Sequence, residues 1–317
     1  MSRYSEIEAV YYNEELKSRY VTEKEKSLTV TSNYIDVQFR KVSEVEYELD
    51  KDVSNWTVYE IVEYYKILNV TSYESLICLN SIFSQYTQFC LENSLVRDNQ
   101  NHFLECTKDI LLGCINKAIL DKKIVERDTV LKWIDELPNP KDQFILLSLF
   151  EYGKSRDFKD IVYAGHDNLN EKDNTLKLTD RTVDISNKLT EIIKSCKVED
   201  TYYSISGKGT KTMPLIDYGY IVKSYPNQNM SLSDFQKGRN IYIACQRIFD
   251  YLGVGSYMSP NSITEAGKLY MIKKRAKELN ITPMQYVYSE HIQEVEQQFG
   301  CNITRSVYGK KYEEYLS

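Results

Sequence analysis

Long apolar runs are missing from this sequence: no stretch approaches the roughly 20 consecutive apolar residues needed to span a bilayer, so no membrane partner is expected. The opening MSRYSEIEAVYYNEELKSRY is too polar for a secretory leader, and a cytoplasmic protein is expected. Histidine is scarce, with three residues set far apart, and the seven cysteines (Cys78, Cys90, Cys106, Cys114, Cys196, Cys245, Cys301) show no C-x-x-C pairing. That spacing offers neither a metal site nor a disulfide framework, and it predicts reduced, mostly buried thiols and no metal or other cofactor. With 12 glycines and 6 prolines in 317 residues, there is no collagen-like or low-complexity segment. An excess of basic charge is missing too. The net charge is −6, which by itself argues against a polyanionic partner.

What is present is a globular composition, 42% hydrophobic and 27% charged, in a chain long enough for two domains with separate cores. The charge is uneven. From Trp133 onward 24 basic and 24 acidic residues balance, leaving 16 basic and 22 acidic ahead of it, so any polyanion-binding face must arise by local clustering. Residues 1–50 read as an N-terminal extension with a short helix and strands, because Leu28, Val30 and Ser32 alternate within Ser27–Phe39. From Trp56 the period changes to that of a helix, with Val58, Ile61, Val62 and Tyr65 on one face and Ser54 or Asn55 as the cap. A second helix opens at Thr71-Ser-Tyr-Glu74, a capping-box spacing, and further helical patterns occupy 100–120 and 126–137. An all-α domain is therefore expected over 51–132. After Pro138 and Pro140 an apolar helix begins at Asp142, followed by strands at Thr175–Ile185 and near Tyr202–Ile205. A helix at Ser233–Leu252 and three more after Ser262 complete a mixed domain over 133–317.

Four segments in order carry a resemblance. DQFILLSLFEYGKSRDFKDI (142–161) resembles the helix, Thr-Gly-Leu-Arg turn and second helix that open the catalytic domain of tyrosine recombinases, the phage integrase family. NTLKLTDRTVDISNKLTEIIK (174–194) looks like that family's β-hairpin and following helix. SYMSPNSITEAGKLYMIKKRAKE (256–278) is similar to its Thr-Pro-His-Ser-Leu-Arg-His helix start, and QQFGCNITRSVYGKKYEEYL (297–316) to its Leu-Gly-His segment and terminal tyrosine. The upstream helices resemble the core-binding domain. The resemblance implies a mainly α protein with a small β component: an all-α, SAM-like core-binding domain, then a catalytic-type α+β domain.

In that family a tyrosine attacks a phosphodiester, two arginines and a histidine stabilise the charge on the phosphoryl oxygens, and a hairpin lysine protonates the leaving oxygen. Fixed cationic donors of this kind supply much of the help in phosphoryl transfer. Aligned on Gly153, the first arginine position holds Ser155, with Arg156 one residue late and about 100° away around a helical turn. Asn261 stands for the histidine, Thr264 for the second arginine and Cys301 for the later histidine. Only Lys177, or Arg181 nearby, and Tyr308 keep plausible counterparts, with Tyr312 and Tyr315 as weaker choices for the tyrosine. The expectation is a degenerate recombinase and no enzyme.

Positive charge survives around the same segments. Lys268, Lys273, Lys274 and Arg275 lie on one predicted helix, Lys208 and Lys211 on the Ser206-Gly-Lys-Gly-Thr-Lys211 loop. Lys154, Arg156, Lys177 and Arg181 sit near the presumed cleft, and Arg305 near the terminal tyrosine. Such groups neutralise phosphates with little sequence information. The loop lacks the G-x-x-x-x-G-K-[ST] frame of a nucleotide-binding loop. Asn-His-Phe at 101–103, Asp-Tyr-Leu-Gly-Val at 250–254 and Met-Ser-Pro-Asn-Ser-Ile at 258–263 further resemble the integrase-like master repressors of SPβ-like prophages. That likeness implies a bacteriophage lysogeny repressor on operator-like double-stranded DNA, associated with the nucleoid of a bacterial host. A homo-oligomer or a regulatory protein partner stays open. Two other readings are an active recombinase working through Tyr308 and a protein-interaction module, which the acidic N-terminal domain would suit.

Overall fold

The computed structural model describes residues 11–26, 32–206, 211–226 and 232–316. The chain divides into two compact units, Met1–Ala118 and Ile119–Ser317. Both follow from helix-forming patterns, with little sheet.

Every element among the described residues of the first unit is a helix: α1 (Glu14–Lys26), α2 (Ser32–Leu49), α3 (Val58–Ile67), α4 (Tyr73–Glu92) and α5 (Lys108–Gly113), together with short 3-10 turns, and α6 (Lys117–Lys123) crosses the division. Over the described residues 32–39, the strand expected within 27–39 is not there. Residues 32–39 belong to α2, because Ile35, Phe39, Val42 and Glu46 recur at helical spacing and are all buried, while Val37, their partner in the alternating pattern, is exposed. Residues 27–31 lie outside the described residues. The expected caps also shift. Thr57 caps α3 in a reciprocal box with Glu60, and Ser72 caps α4 by accepting from the Ser75 amide. The helical pattern at 100–120 resolves into a 3-10 turn at His102–Glu105 and the short helices α5 and α6.

Aromatic rings fill this unit. Phe39 lies edge-on to Tyr86 at 4.9 Å and to Tyr20 at 5.9 Å, and Trp56 lies edge-on to Tyr64 at 5.3 Å. Beneath them Lys17 and Glu46, both fully buried, form an ion pair. Glu46 also accepts the Val53 amide at 2.7 Å, and Tyr86 donates to Asp52 at 3.1 Å. A buried charge survives only when it is paired and hydrogen-bonded, so this network fixes α1 on α2.

The second unit runs α7 (Arg127–Glu136), α8 (Pro140–Glu151), α9 (Lys159–Val162), β1 (Leu169–Asn170), β2 (Thr175–Lys177), β3 (Thr182–Asp184), α10 (Asn187–Val198), β4 (Thr201–Tyr203) and β5 (Thr212–Pro214). It continues with α11 (Asp234–Tyr251), α12 (Pro260–Glu278), α13 (Pro283–Tyr288), α14 (Ile292–Phe299), α15 (Arg305–Lys311) and α16 (Glu313–Leu316). Strands β1, β2 and β3 form an antiparallel meander in which Leu176 faces Val183, and β4 and β5 form a separate antiparallel pair. The region after Ser262 holds more and shorter helices than the three expected. Pro283 opens α13 and Gly300, in the left-handed region, ends α14.

Helix α8 is the central element. Phe144, Ile145, Leu146, Leu147, Leu149 and Phe150 are all buried, so it is apolar on every side, as a helix enclosed by others must be. Helix α12 crosses it at Gly267, where a Cβ atom would come within 1.8 Å of the Phe150 carbonyl oxygen. Any larger residue there would force the two helices apart.

Among the described residues, no helix is long and apolar enough to cross a membrane, and no group of three or more His, Cys, Asp or Glu side chains could hold a metal ion.

Candidate nucleic-acid interface

The turn after α8 is where the resemblance places the first recombinase arginine. Gly153 adopts φ +77°, and a Cβ there would meet Thr264 Cγ2 at 2.9 Å and Phe299 Cδ1 at 3.0 Å. Glycine is therefore required both by conformation and by space, and it lets this turn touch α12 and the end of α14. Ser155 accepts the Asp160 amide at 3.0 Å, so its hydroxyl is spent holding α9. Arg156 does not turn inward. Its side chain is 95% exposed, with Asp157 at 3.9 Å. Asp157 and Phe158 both take left-handed backbone conformations, φ 57° and 56°, which side chains with a Cβ adopt at a cost. Lys154 lies over the Phe158 ring at 4.9 Å, and burial pushes its ammonium pKa down.

On α12, Ser259 caps the helix and Pro260 occupies its first position, leaving Asn261 exposed in the first turn. One turn on, Thr264 is buried against Gly153 and its hydroxyl has no hydrogen-bond partner. Glu265 and Lys268 follow at i, i+3 and pair at 2.9 Å, and Tyr312 donates to the other Glu265 oxygen at 3.2 Å. Cys301 sits beside Lys268. Burial pushes the Cys301 thiol pKa up, and the neighbouring ammonium partly offsets this. Lys268 is held above its ordinary value against the pull of burial, by Glu265 and then Cys301. Tyr308 packs on Tyr312 with ring centroids 4.6 Å apart, and its buried hydroxyl has no hydrogen-bond partner.

The structure thus gathers Thr264, Cys301 and Tyr308 around Glu265 and Lys268, and leaves Asn261 exposed at the start of α12. Burial, followed by the negative charge of Glu265, raises the Tyr308 phenol well above its ordinary pKa. A nucleophilic phenol needs the opposite, a positive surround that favours phenolate.

The remaining basic residues divide by environment. Lys177 is exposed on β2 opposite Thr182. Arg181, at the end of the hairpin turn, folds inward: its guanidinium is 8% exposed, pairs with the buried Asp160 at 2.8 Å and Asp180 at 2.9 Å, and donates to the Gln298 carbonyl. Gly300 gives it room, since a Cβ there would stand 2.6 Å from Arg181 Nη1. On the far part of α12, Lys273 faces Glu126 at 3.8 Å, Lys274 is exposed, and Arg275 is shared among Glu278, Glu294 and Asp184 at 2.9 to 3.8 Å. Arg305 donates to the Tyr288 carbonyl at 3.2 Å, and Lys211 is exposed beside β5. Lys208 lies outside the described residues.

Sequence reasoning missed Glu265, Asp160 and Gln298, and took Tyr312 only as a weaker choice for the terminal tyrosine, not as the donor to Glu265. The Glu265–Lys268 pair was visible as an i, i+3 spacing. Gln298 had no such signal, yet its side chain takes the Asp184 amide and donates to the Asp184 and Glu151 carbonyls, tying α14 to the hairpin and α8.

Comparison with known proteins adds two family matches. Residues 124–316 match the model of the MrpR C-terminal catalytic domain, and residues 11–92 that of the MrpR N-terminal core-binding domain. No curated protein matches the sequence. Among solved structures, the chain is similar to the crystal structure of XerA recombinase, at 12% identity over 95% of this chain and 97% of that one, with a TM-score of 0.38.

Proposed function

Because the chain belongs to the MrpR family, with a tyrosine-recombinase-like core-binding domain followed by a catalytic-type domain, we propose that it is a sequence-specific double-stranded DNA-binding regulator without recombination chemistry. Its role in this reading is that of a prophage lysogeny repressor acting on operator-like elements. The observation that carries the loss of chemistry is the setting of Tyr308: buried, lacking a hydrogen-bond partner and beside Glu265, with Thr264 where the second arginine would stand. A phosphoryl transition state at this centre would meet Lys154 and Lys268, the first half-buried over a ring and the second already neutralised by a carboxylate.

DNA contact falls in this reading to the cations that face solvent, Arg156, Lys177, Lys211 and Lys274, with Lys273 and Arg305 at their margins. Bases would be read by helices of the core-binding domain over 51–132 together with the catalytic-type domain. Phosphate contacts of this kind make affinity fall steeply with salt.

The test is binding of the purified protein to fragments of its source genome across a salt series, with denaturing gels of the same samples. Discrete, salt-sensitive sites without a covalent adduct are expected. An adduct abolished by Tyr308→Phe would establish a recombinase instead, and absence of DNA binding at every salt concentration would overturn the DNA-binding reading in favour of a protein-interaction module.

A further inference from the structure

Away from the Thr264–Tyr308 centre, the second unit holds a cavity of about 210 Å³ between α8, α9, α11 and the segment 218–225. Two tyrosine pairs form its walls. Tyr202 and Tyr225 meet edge to face at 5.5 Å, and Tyr163 and Tyr220 do so at 5.8 Å. Ile241, Val222 and Ala244 supply apolar lining.

Four cations line the same cavity. Lys141, only 6% exposed, lies over the Tyr225 ring at 4.4 Å and donates to the Lys223 carbonyl at 2.6 Å. Lys223 is 7% exposed and is tied to the carbonyls of Lys197 and Glu199, with Asp217 at 3.7 Å. Lys237 stands over the Tyr163 ring at 5.1 Å, and Arg247 lies close enough for its charge to act on Asp142, Tyr202 and Tyr225. Among the described residues, no carboxylate lies within 4.0 Å of the cationic nitrogens of Lys141, Lys237 or Arg247. The lone acid in the lining, Asp142, is buried and accepts from Asn139 at 2.8 Å.

Buried positive charge held mainly by carbonyls and ring faces is costly unless an anion completes it. A cavity of ~150 Å³ accommodates a benzene-sized ring, whereas drug-sized ligands need ~300 Å³ or more. We propose that this cavity binds a small planar aromatic anion, a single ring bearing a carboxylate or phosphate, with the ring between the tyrosine pairs and the acid group on Lys141 and Arg247. The charge balance excludes a cationic ligand, the usual guest of a tyrosine-lined box. Burial lowers the Lys141 ammonium to about 8, a cost that an anion seated on it would relieve.

The experiment is calorimetric titration of the full chain, without DNA, with 4-hydroxybenzoate and phenyl phosphate, and with inorganic phosphate, 4-hydroxybenzamide and benzyltrimethylammonium as controls. Saturable binding of at least one aromatic anion is expected, at least about tenfold tighter than any control. Arg247→Ala and Lys237→Ala, at positions that are not part of the core, should each weaken it several-fold, while Lys154→Ala leaves it unchanged. Absence of saturable binding by both aromatic anions overturns the proposal, as does equal binding of inorganic phosphate or an Arg247→Ala protein that binds undiminished. Because DNA is absent, the outcome is independent of the regulatory reading.

Discussion

The basic residues of the second unit fall into two groups that sequence makes look alike. Arg181, Lys268 and Arg275 are drawn into the fold, each bound to at least one carboxylate and two of them with charged groups nearly covered. Arg156, Lys177, Lys211 and Lys274 stand in solvent. The first group holds helices and the hairpin together, and the second is free to meet a polyanion. A count of positive charge along a helix therefore overstates what DNA can touch, and acidic neighbours reached through the fold decide which charges remain available.

Substitutions that separate the two groups would sharpen this contrast. Arg181→Ala should have the largest effect, because it strands Asp160 in the core; a loss on the order of 3 kcal/mol in urea unfolding is expected. The next effect belongs to the outer group. Arg156→Gln together with Lys274→Gln should leave the urea midpoint in place while reducing the slope of log affinity against log salt by roughly 2, about one for each phosphate left without its cation. A preserved slope would place the DNA face elsewhere.

Asp142→Asn gives a pH signature. Burial raises this carboxyl from 3.8 to about 6, so its contribution to stability is full below the lower value and is lost as pH rises through the upper one. The variant should gain on the order of 2 kcal/mol relative to the parent between pH 4 and 7, seen as converging melting curves at low pH. The smallest effect is expected of Tyr308→Phe. It removes a buried hydroxyl that lacks a partner, and the change in stability should stay within about 1 kcal/mol in either direction, with DNA binding intact.

Local chemistry made much of the fold legible. The alternating TLKLTDRTVD segment gives the hairpin with Leu176 facing Val183, and Ser233 with Gln236 closes a capping box at the start of α11. The same local reasoning failed at 32–39, where Ile35, Val37 and Phe39 fit a strand, yet Ile35 and Phe39 also fit a helix continuing to Val42 and Glu46. So short an alternation cannot distinguish these periods; the next turn does.

At the candidate site, residue identities were readable but their partners were not. Thr264, Cys301 and Tyr308 could be placed on the family pattern one by one. That Glu265 would turn toward Tyr308, or that Arg181 would cross to Asp160 and lie against Gly300, depends on packing between residues far apart in the chain. The tyrosine and lysine residues around Lys141 were equally hidden, dispersed from 141 to 247 with no motif to join them.

In the proposed function the fold binds DNA while Tyr308 stays inert. The most direct test incubates the protein with nicked DNA carrying its bound site, so that a covalent intermediate would be trapped, and resolves the mixture on a denaturing gel beside a native one. A retarded band on the native gel with none on the denaturing gel is the predicted result. A denaturation-resistant band that disappears in Tyr308→Phe would contradict the account.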